Sequence, residues 1–342
     1  MIMVIFGAGA SFDAVPSRPP WAYPREMLDS RLPLATELFL DLELFTGWVA
    51  NFPQCKPIIP YLRSIPPGVT LEHVLENLQE EGKTDPERLR QIAAIRYYLQ
   101  CVIWECENRW NSVAHGITNY VTLLDQLRRS RTTSDPVLLV TFNYDRMIES
   151  TLSSVDISIR ELPDYIRHDS FKLFKLHGSV HWAREIENPV ANINEMNNWN
   201  VANNLISIAP DINITDRFRI VDHHPTGKVG DIPLFPAIAI PVETKINFEC
   251  PSSQLDCLRA FLGKVTKVLT VGWAAQEQHF LKLLREHLTE EIHVKVVAGN
   301  IPDGEQALDR IRGAGIRLIA EPPAAGFTEY AVSREAELFL KA

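Results

Sequence analysis

Residues 2–11 read Ile-Met-Val-Ile-Phe-Gly-Ala-Gly-Ala-Ser, an unbroken apolar run that ends in a glycine-containing turn. Five consecutive apolar residues predict a β-strand buried on both faces, as in a parallel sheet. Glycines directly after such a strand let the backbone approach a bound phosphate closely. The stretch therefore predicts a core strand followed by a ligand-binding turn that contains Gly7, Ala8, Gly9, Ala10, Ser11 and Asp13. A tight turn without a ligand is the alternative.

The strand and helix patterns beyond this turn predict the α/β class: a doubly wound, Rossmann-like parallel sheet with an inserted smaller helical lobe. Apolar runs predict further strands at Val137 to Phe142, Phe171 to Leu176, Phe235 to Val242, Lys267 to Val271 and Ile292 to Val297. Helical spacing of apolar residues predicts helices at Leu34 to Phe45, Thr70 to Leu78, Pro86 to Trp110, Ile117 to Arg128, Met147 to Leu152, Ser253 to Val265 and Gln276 to His287.

We expect one domain over residues 1–342, with core strands in 1–15, 135–182 and 232–342 and the helical lobe at about 34–130. Five prolines in 16–33 predict a long loop that could cover a site. Eight asparagines in 188–204 predict an irregular surface segment, mobile or partner-binding, within an irregular insertion at about 183–232.

The composition of the chain argues against nucleic-acid binding, structural zinc and membrane insertion. A net charge of −9 and a pI near 5.6 speak against direct nucleic-acid binding. Five cysteines, an odd number without any CxxC pair or a His-rich neighbourhood at zinc-ligand spacing, argue against a structural zinc site. No run approaches the roughly 18 apolar residues of a membrane span. We expect a cytoplasmic protein that binds no metal, nucleic acid or membrane.

Two further polar motifs follow predicted strands. Thr141-Phe142-Asn143-Tyr144-Asp145 places an amide and a carboxylate at the carboxyl edge of the sheet, where open α/β sheets bind ligands. A helix cap is the alternative for Asp145. Lys175-Leu176-His177-Gly178-Ser179 places a histidine, the side chain best suited to act as a base near neutral pH, beside a glycine. A lone histidine is more often structural, so the combination of motifs singles out His177.

In this order, GAGAS, TFNYD and KLHGS resemble the sirtuin family, in particular its divergent bacterial branch. The resemblance implies an NAD-binding site that includes Gly7, Gly9, Ser11, Asn143, Asp145 and His177, with Thr141 and Gly178 beside them. Gly272-Trp273 looks like the family's Gly-Ser nucleotide turn with the serine replaced, and Gly299-Asn300 is similar to the segment that meets the adenosine end.

Two departures from the family bear on the reaction. Sirtuin deacetylases carry a four-cysteine zinc module and a GIPDFR-like stretch, whereas this chain has no paired cysteines and reads VPSRPPWAYPR. The branch that lacks both resembles NAD-hydrolysing effectors of bacterial antiphage systems. The resemblance implies NAD+ as substrate, no metal, and activity controlled by homo-oligomer assembly or by a sensor on another chain, such as a HerA-type ATPase or an Argonaute-like protein.

The expected reaction releases nicotinamide and ADP-ribose. In this hypothesis Asn143 orients the ribose or a water, His177 acts as base and Asp145 helps to bind the nicotinamide side. Phosphates would lie on the amides of residues 7–11, with Arg18 and Arg25 as charge partners. Four alternatives stay open: cyclisation instead of hydrolysis, a non-catalytic NAD or ADP-ribose module, a zinc-free deacylase, and a hydride-transfer enzyme. The last is disfavoured because Phe12 stands where a dehydrogenase has its third glycine.

Overall fold

The computed structural model describes residues 1–20, 30–66, 69–130, 135–188, 190–241 and 248–341. Its strands are β1 (Ile2–Phe6), β2 (Val137–Thr141), β3 (Phe171–Lys175), β4 (Gly178–Ile186), β5 (Ile214–Ile220), β6 (Lys228–Val229), β7 (Ile232–Ile238), β8 (Lys267–Val271), β9 (Ile292–Ala298), β10 (Leu318–Ala320) and β11 (Ala324–Ala325). Its α-helices are α1 (Ala8–Phe12), α2 (Glu43–Asn51), α3 (Ile59–Arg63), α4 (Leu71–Glu81), α5 (Pro86–Ala114), α6 (Asn119–Ser130), α7 (Met147–Ser153), α8 (Asp164–Arg167), α9 (Asn198–Ser207), α10 (Ser252–Leu262), α11 (Gln278–His287), α12 (Ile301–Gly313), α13 (Phe327–Val332) and α14 (Glu335–Lys341).

The central sheet is parallel, with the order β10-β9-β8-β1-β2-β3, and β11 pairs with the end of β9. Strand β1 lies between β2 and β8: Met3 is in register with Leu138 on one side and with Val268 on the other. From β1 the chain winds outward to β3 on one side and to β10 on the other. This order confirms the predicted doubly wound α/β fold. Its topological switch point lies at β1, where such sheets leave a crevice for ligands.

A second, antiparallel sheet has the order β5-β4-β7-β6. It contains β7, which the sequence analysis assigned to the parallel core, and β5 and β6, which lie in the predicted irregular insertion at 183–232. The same insertion contains α9. The asparagines hide this order because several end or begin elements: Asn197 caps α9 by accepting a hydrogen bond from the Asn200 amide at 2.9 Å, and Asn192 adopts a left-handed conformation.

The helical lobe lies between β1 and β2, as expected, and comprises α2 to α6. Its long helix α5 packs on the second sheet, where Gln100 Nε2 donates to the Val180 carbonyl at 2.9 Å and the Tyr97 hydroxyl to the Leu234 carbonyl at 3.2 Å. The predicted helix at Leu34 to Phe45 is absent: a short 3-10 turn at Ala35–Glu37 is followed by a break, and α2 begins at Glu43. In the break Asp41 pairs with Arg63 at 2.8 Å.

Within the described ranges, no helix is long and apolar enough to cross a membrane. The five cysteines are free, and four of them are buried.

Candidate functional site

A cavity of about 1200 Å³ opens at the carboxyl edge of the parallel sheet, at the switch point beside β1. Residues from the ends of β1, β2, β3, β8 and β9 line it, and side chains of α4, α12 and α13 close its other sides. The predicted site residues that line it are Gly7, Ala8, Gly9, Ser11, Asp13, Asn143, Asp145, His177, Gly272 and Trp273. Three motifs that are far apart in the sequence therefore meet at one cavity.

Four predicted site residues do not line the cavity. Ala10 is fully buried. Thr141 is buried, and its hydroxyl accepts the Asn143 amide at 3.0 Å. It therefore stabilises the turn that contains Asn143. Gly178, with a φ of 81°, lies against the Ala237 carbonyl. Asn300 caps α12 by accepting the Asp303 amide at 2.9 Å.

The glycines of the first turn pack against the turn after β8. A Cβ on Gly7 would lie 2.4 Å from the Gly272 carbonyl oxygen, and Gly272 itself has a φ of 59°. Gly7 and Gly9 donate their amides to the carbonyls of Val271 and Gly272, at 3.0 and 3.1 Å, and Ala10 donates to the Gly7 carbonyl at 2.9 Å. Three of the five amides that the sequence analysis assigned to phosphates are thus engaged within the protein. The glycines serve the close contact of two turns, not a row of phosphate donors.

The Ser11 hydroxyl is the centre of a buried hydrogen-bond network. Ser11 Oγ donates to Asp145 Oδ2 at 2.7 Å and accepts from Asn143 Nδ2 at 2.9 Å. Since its one proton goes to Asp145, the Tyr120 hydroxyl, 2.9 Å away, is the donor of their shared hydrogen bond. One donated and two accepted bonds saturate a hydroxyl. The Ser11 hydroxyl therefore holds its neighbours in place, and all of its hydrogen bonds are made within the protein.

This network fixes the orientation of Asn143. Its Nδ2 donates to the Gly7 carbonyl at 2.9 Å as well as to Ser11, and a carbonyl can pair only with the nitrogen of the amide. Both amide protons are therefore used inside the protein. Among the described residues, Oδ1 receives no side-chain or backbone donor, and Asn143 lines the cavity. Asn143 thus offers the cavity a fixed acceptor, suited to a ribose hydroxyl or a water.

The carboxylates of the two predicted aspartates, Asp13 and Asp145, accept backbone amides at the starts of two helices. Asp145 Oδ1 accepts the Met147 amide at 3.0 Å at the beginning of α7, one residue before the N-cap Arg146, and its other oxygen takes the Ser11 proton. Asp13 accepts the amides of Phe327 and Thr328 at 2.8 and 3.1 Å at the beginning of α13. Burial raises the pKa of Asp13, against these hydrogen bonds. Neither carboxylate is placed primarily for a ligand.

The His177 side chain is surrounded by aromatic rings, and the residue is 6% exposed. Its ring meets the Phe142 ring edge to face, with centroids 4.8 Å apart, and lies 6.1 Å from that of His279. Trp273 also stacks on Phe142, with centroids 5.8 Å apart, and donates its indole proton to Glu277 at 2.6 Å. Phe142 thus contacts both the imidazole and the indole, and the three rings line the cavity together.

Two ion pairs, each with one buried member, adjoin the TFNYD turn. Lys175, fully buried, pairs with Glu149 at 3.0 Å and donates to the Asp145 carbonyl. Arg146 pairs with Glu107 at 2.8 Å. Burial raises the pKa of Glu107 to about 7, against the attraction of Arg146. Breaking either pair would leave a buried charge without its partner, which is strongly unfavourable. The two pairs therefore help to keep the turn in one conformation.

Three residues at the cavity or in its hydrogen-bond network were not predicted from the sequence: Tyr120, Glu72 and Arg310. Tyr120 lies at the start of α6 in the helical lobe, and Glu72 lies in the first turn of α4. Arg310, on α12, lines the cavity and donates to the Ala274 carbonyl at 2.7 Å. None of them belongs to a strand-end motif, and only the packing of the lobe brings Tyr120 and Glu72 to the site. Of the arginines proposed as phosphate partners, Arg18 is exposed outside the cavity and Arg25 lies outside the described residues.

Replacing Tyr120 by Phe tests the network directly. The variant removes the proton donated to Ser11 while keeping the ring contacts with Phe6 and Phe327, 5.2 and 5.5 Å between centroids. We expect a loss of about 1 kcal/mol in the free energy of unfolding, measured by urea denaturation. Tyr61→Phe, at a tyrosine 69% exposed, is the control and should change nothing. Equal stability of Tyr120→Phe and wild type would contradict the assigned hydrogen bond.

Comparison with known proteins gives matches among solved structures only. No family model matches the chain, and no curated protein matches it. The chain is similar to a structure described under the mechanism and regulation of Sir2 enzymes, with 10% identity and a TM-score of 0.39 over 99% of this chain and 91% of that one. It is also similar to a Sir2 bound to an acetylated peptide, with 12% identity and a TM-score of 0.38 over 99% and 94%. A third is a mutant Sir2 homologue in complex with ADP ribose, with 11% identity and a TM-score of 0.38 over 92% and 91%.

Proposed function

We propose that this chain hydrolyses the bond between nicotinamide and ribose in NAD+, with Asn143 and His177 at the reacting centre. One observation carries the proposal: the GAGAS, TFNYD and KLHGS segments line a single cavity of about 1200 Å³ at the switch point of a doubly wound sheet. Such crevices bind dinucleotides in this class of fold. The cavity is also large for a small metabolite, since ligand pockets commonly span roughly 300–1000 Å³.

The chemistry suits the groups that the cavity offers. When the C1′–N bond breaks, its electron pair moves to the ring nitrogen, so the cationic nicotinamide leaves as a neutral molecule and needs no general acid. A water oxygen then bonds to C1′ and gives its proton to the base, a role that we assign to His177. Asn143 Oδ1 accepts a hydrogen bond from that water or from a ribose hydroxyl and holds it in line. The products are nicotinamide and ADP-ribose.

The test is incubation of the wild-type chain with NAD+ over a wide range of protein concentration, with chromatography of the products. We expect nicotinamide and ADP-ribose in equal amounts. Cyclic ADP-ribose in place of ADP-ribose would replace hydrolysis by cyclisation. NAD+ binding without product at every concentration would favour the non-catalytic module, and consumption only with an acylated peptide would favour the deacylase.

The proposal includes control of the activity, because unrestrained consumption of NAD+ would deprive the cell of its main redox cofactor. We propose an antiphage effector that is activated by homo-oligomer assembly or by a sensor on another chain, such as a HerA-type ATPase or an Argonaute-like protein. A specific activity that rises steeply with protein concentration, in step with mass measured by light scattering, would support self-assembly. Activity that stays absent until such a partner is added would support the second route.

A further inference from the structure

Six carboxylates line the cavity in the part of the chain that the structure describes, and most of them already serve the protein. Asp13 and Asp145 accept backbone amides at the starts of α13 and α7, Glu277 accepts the Trp273 indole proton at 2.6 Å, and Asp303 accepts from Asn300 Nδ2 at 2.8 Å. The two others are Glu72 and Glu329. Glu329 is exposed, on the α13 side of the cavity, whereas Glu72 is partly buried.

Glu72 lines the same cavity as Asn143 and His177. Its carboxylate and that of Glu277 act together on the Tyr144 hydroxyl and raise the pKa of that phenol, after the larger effect of burial. The Tyr144 ring in turn lies 6.4 Å from the ring of His177, between centroids. Glu72 belongs to α4 of the helical lobe, and it lines the same cavity as the TFNYD and KLHGS turns of the sheet.

Glu72 has no hydrogen-bond or ion-pair partner among the described residues, although it lines a cavity. Arg310 is the one arginine or lysine among the described lining residues, and it donates to Ala274 and Gln306. A partly buried carboxylate without a counter-ion carries a desolvation cost that a cationic ligand would offset. Nicotinamide in NAD+ is such a cation, and its positive charge moves to the ribose as the glycosidic bond breaks.

We propose that Glu72 is a substrate-contacting carboxylate that holds the positive charge of the nicotinamide ring and, during bond cleavage, that of the ribose. The inference rests on the proposed function, since it names the group that this site recognises. It makes the site selective for oxidised NAD+ over NADH, whose dihydronicotinamide ring is neutral. It also makes the helical lobe part of the site, because the catalytic turns come from the sheet and Glu72 comes from α4.

A purely structural role for Glu72 predicts something different. Acidic residues in the first turn of a helix favour its N-terminus, and Glu72 occupies such a position after the Thr70 cap, whose side chain accepts the His73 amide at 3.1 Å. In that case neutralising Glu72 would slightly lower stability and leave ligand preference unchanged. The ratio of two affinities separates the roles, because a small change in folding affects both ligands alike.

The experiment is calorimetric titration of the wild type and of Glu72→Gln with NAD+, NADH and ADP-ribose. Glu76→Gln, one turn further along α4 and outside the cavity, is the matched control. We expect the wild type and Glu76→Gln to prefer NAD+ over NADH, and Glu72→Gln to lower that preference about tenfold. ADP-ribose, which has no nicotinamide ring, should bind all three equally.

The possible outcomes test the role of Glu72 and the proposed function separately. An unchanged NAD+ to NADH ratio in Glu72→Gln, with binding otherwise intact, overturns the role of Glu72 and leaves the proposed function standing. An equal loss of affinity for all three ligands also overturns it, because that pattern indicates a structural defect. Failure of the wild type to bind NAD+ or ADP-ribose overturns the proposed function itself. None of these results needs an activating partner, and chromatography of the cell contents after each titration checks that the NAD+ was not cleaved during it.

Discussion

We expect His177→Ala to lower kcat for NAD+ cleavage by a factor of about 10²–10⁴, the usual contribution of a positioned general base. The KM should change much less, because the ring lies in the wall of the cavity and the Phe142 and Tyr144 rings that surround it remain. Initial rates from nicotinamide release give both constants. Asn143→Ala should reduce kcat similarly, and it should also lower stability because Nδ2 joins Gly7 and Ser11.

The matched control is His287→Ala. His287 ends α11, bonds the Leu283 carbonyl at 3.0 Å and lies outside the cavity. Its kcat should equal that of the wild type. Full turnover by a folded His177→Ala enzyme would remove His177 as the base, whereas a loss of both kcat and folding would indicate that the ring mainly supports the wall. Circular dichroism of each variant separates these cases.

A second large effect is expected for Gly272→Ala. The residue has a φ of 59°, and a Cβ there would lie 2.2 Å from the Ala10 nitrogen and 2.4 Å from the Gly9 carbonyl carbon. Both neighbours are backbone atoms of the first turn, so the clash cannot be relieved by a change of rotamer. The left-handed conformation and the forced shift together should cost about 4 kcal/mol of folding free energy.

Urea unfolding followed by circular dichroism measures this loss, and the expected result is a much lower midpoint or an insoluble protein. Gly47→Ala is the control, because Gly47 lies inside α2 and a Cβ there would have no heavy atom within 4 Å. That change should be neutral or stabilise the chain by roughly 0.5–1 kcal/mol. A Gly272→Ala protein as stable as the wild type would contradict the close contact of the two turns.

The sequence predicts the five longer strands of the parallel sheet because most of their positions are apolar, and it misses the short strands β10 and β11. Lys267–Val271 is found at the predicted bounds, and β1, β2, β3 and β9 agree within one residue at either end. A strand that is buried on both faces has mostly apolar residues, and such a run can be seen in the sequence. The motifs at the strand ends follow, since parallel strands bring their carboxyl ends to one edge.

The second sheet and the direction of hydrogen bonds could not be predicted in this way. In α9 the apolar residues Val201, Ala202, Leu205 and Ile206 do follow helical spacing, but the asparagines between them conceal it. Asp145 could cap a helix or face a ligand, and only the position of Ser11, far away in the chain, decides. Tyr120 and Glu72 carry no local signal, because their roles arise from the packing of the lobe on the sheet.

The central position of β1 has a consequence for folding. Phe6 pairs with Thr141 on one side and with Val271 on the other, so both neighbours of this strand come much later in the chain. Sheets built on such non-local pairings fold slowly, because loop closure precedes the contacts that reward it. During synthesis an apolar strand therefore remains without its second neighbour until β8 has emerged, which exposes the nascent chain to aggregation and gives molecular chaperones a segment to bind.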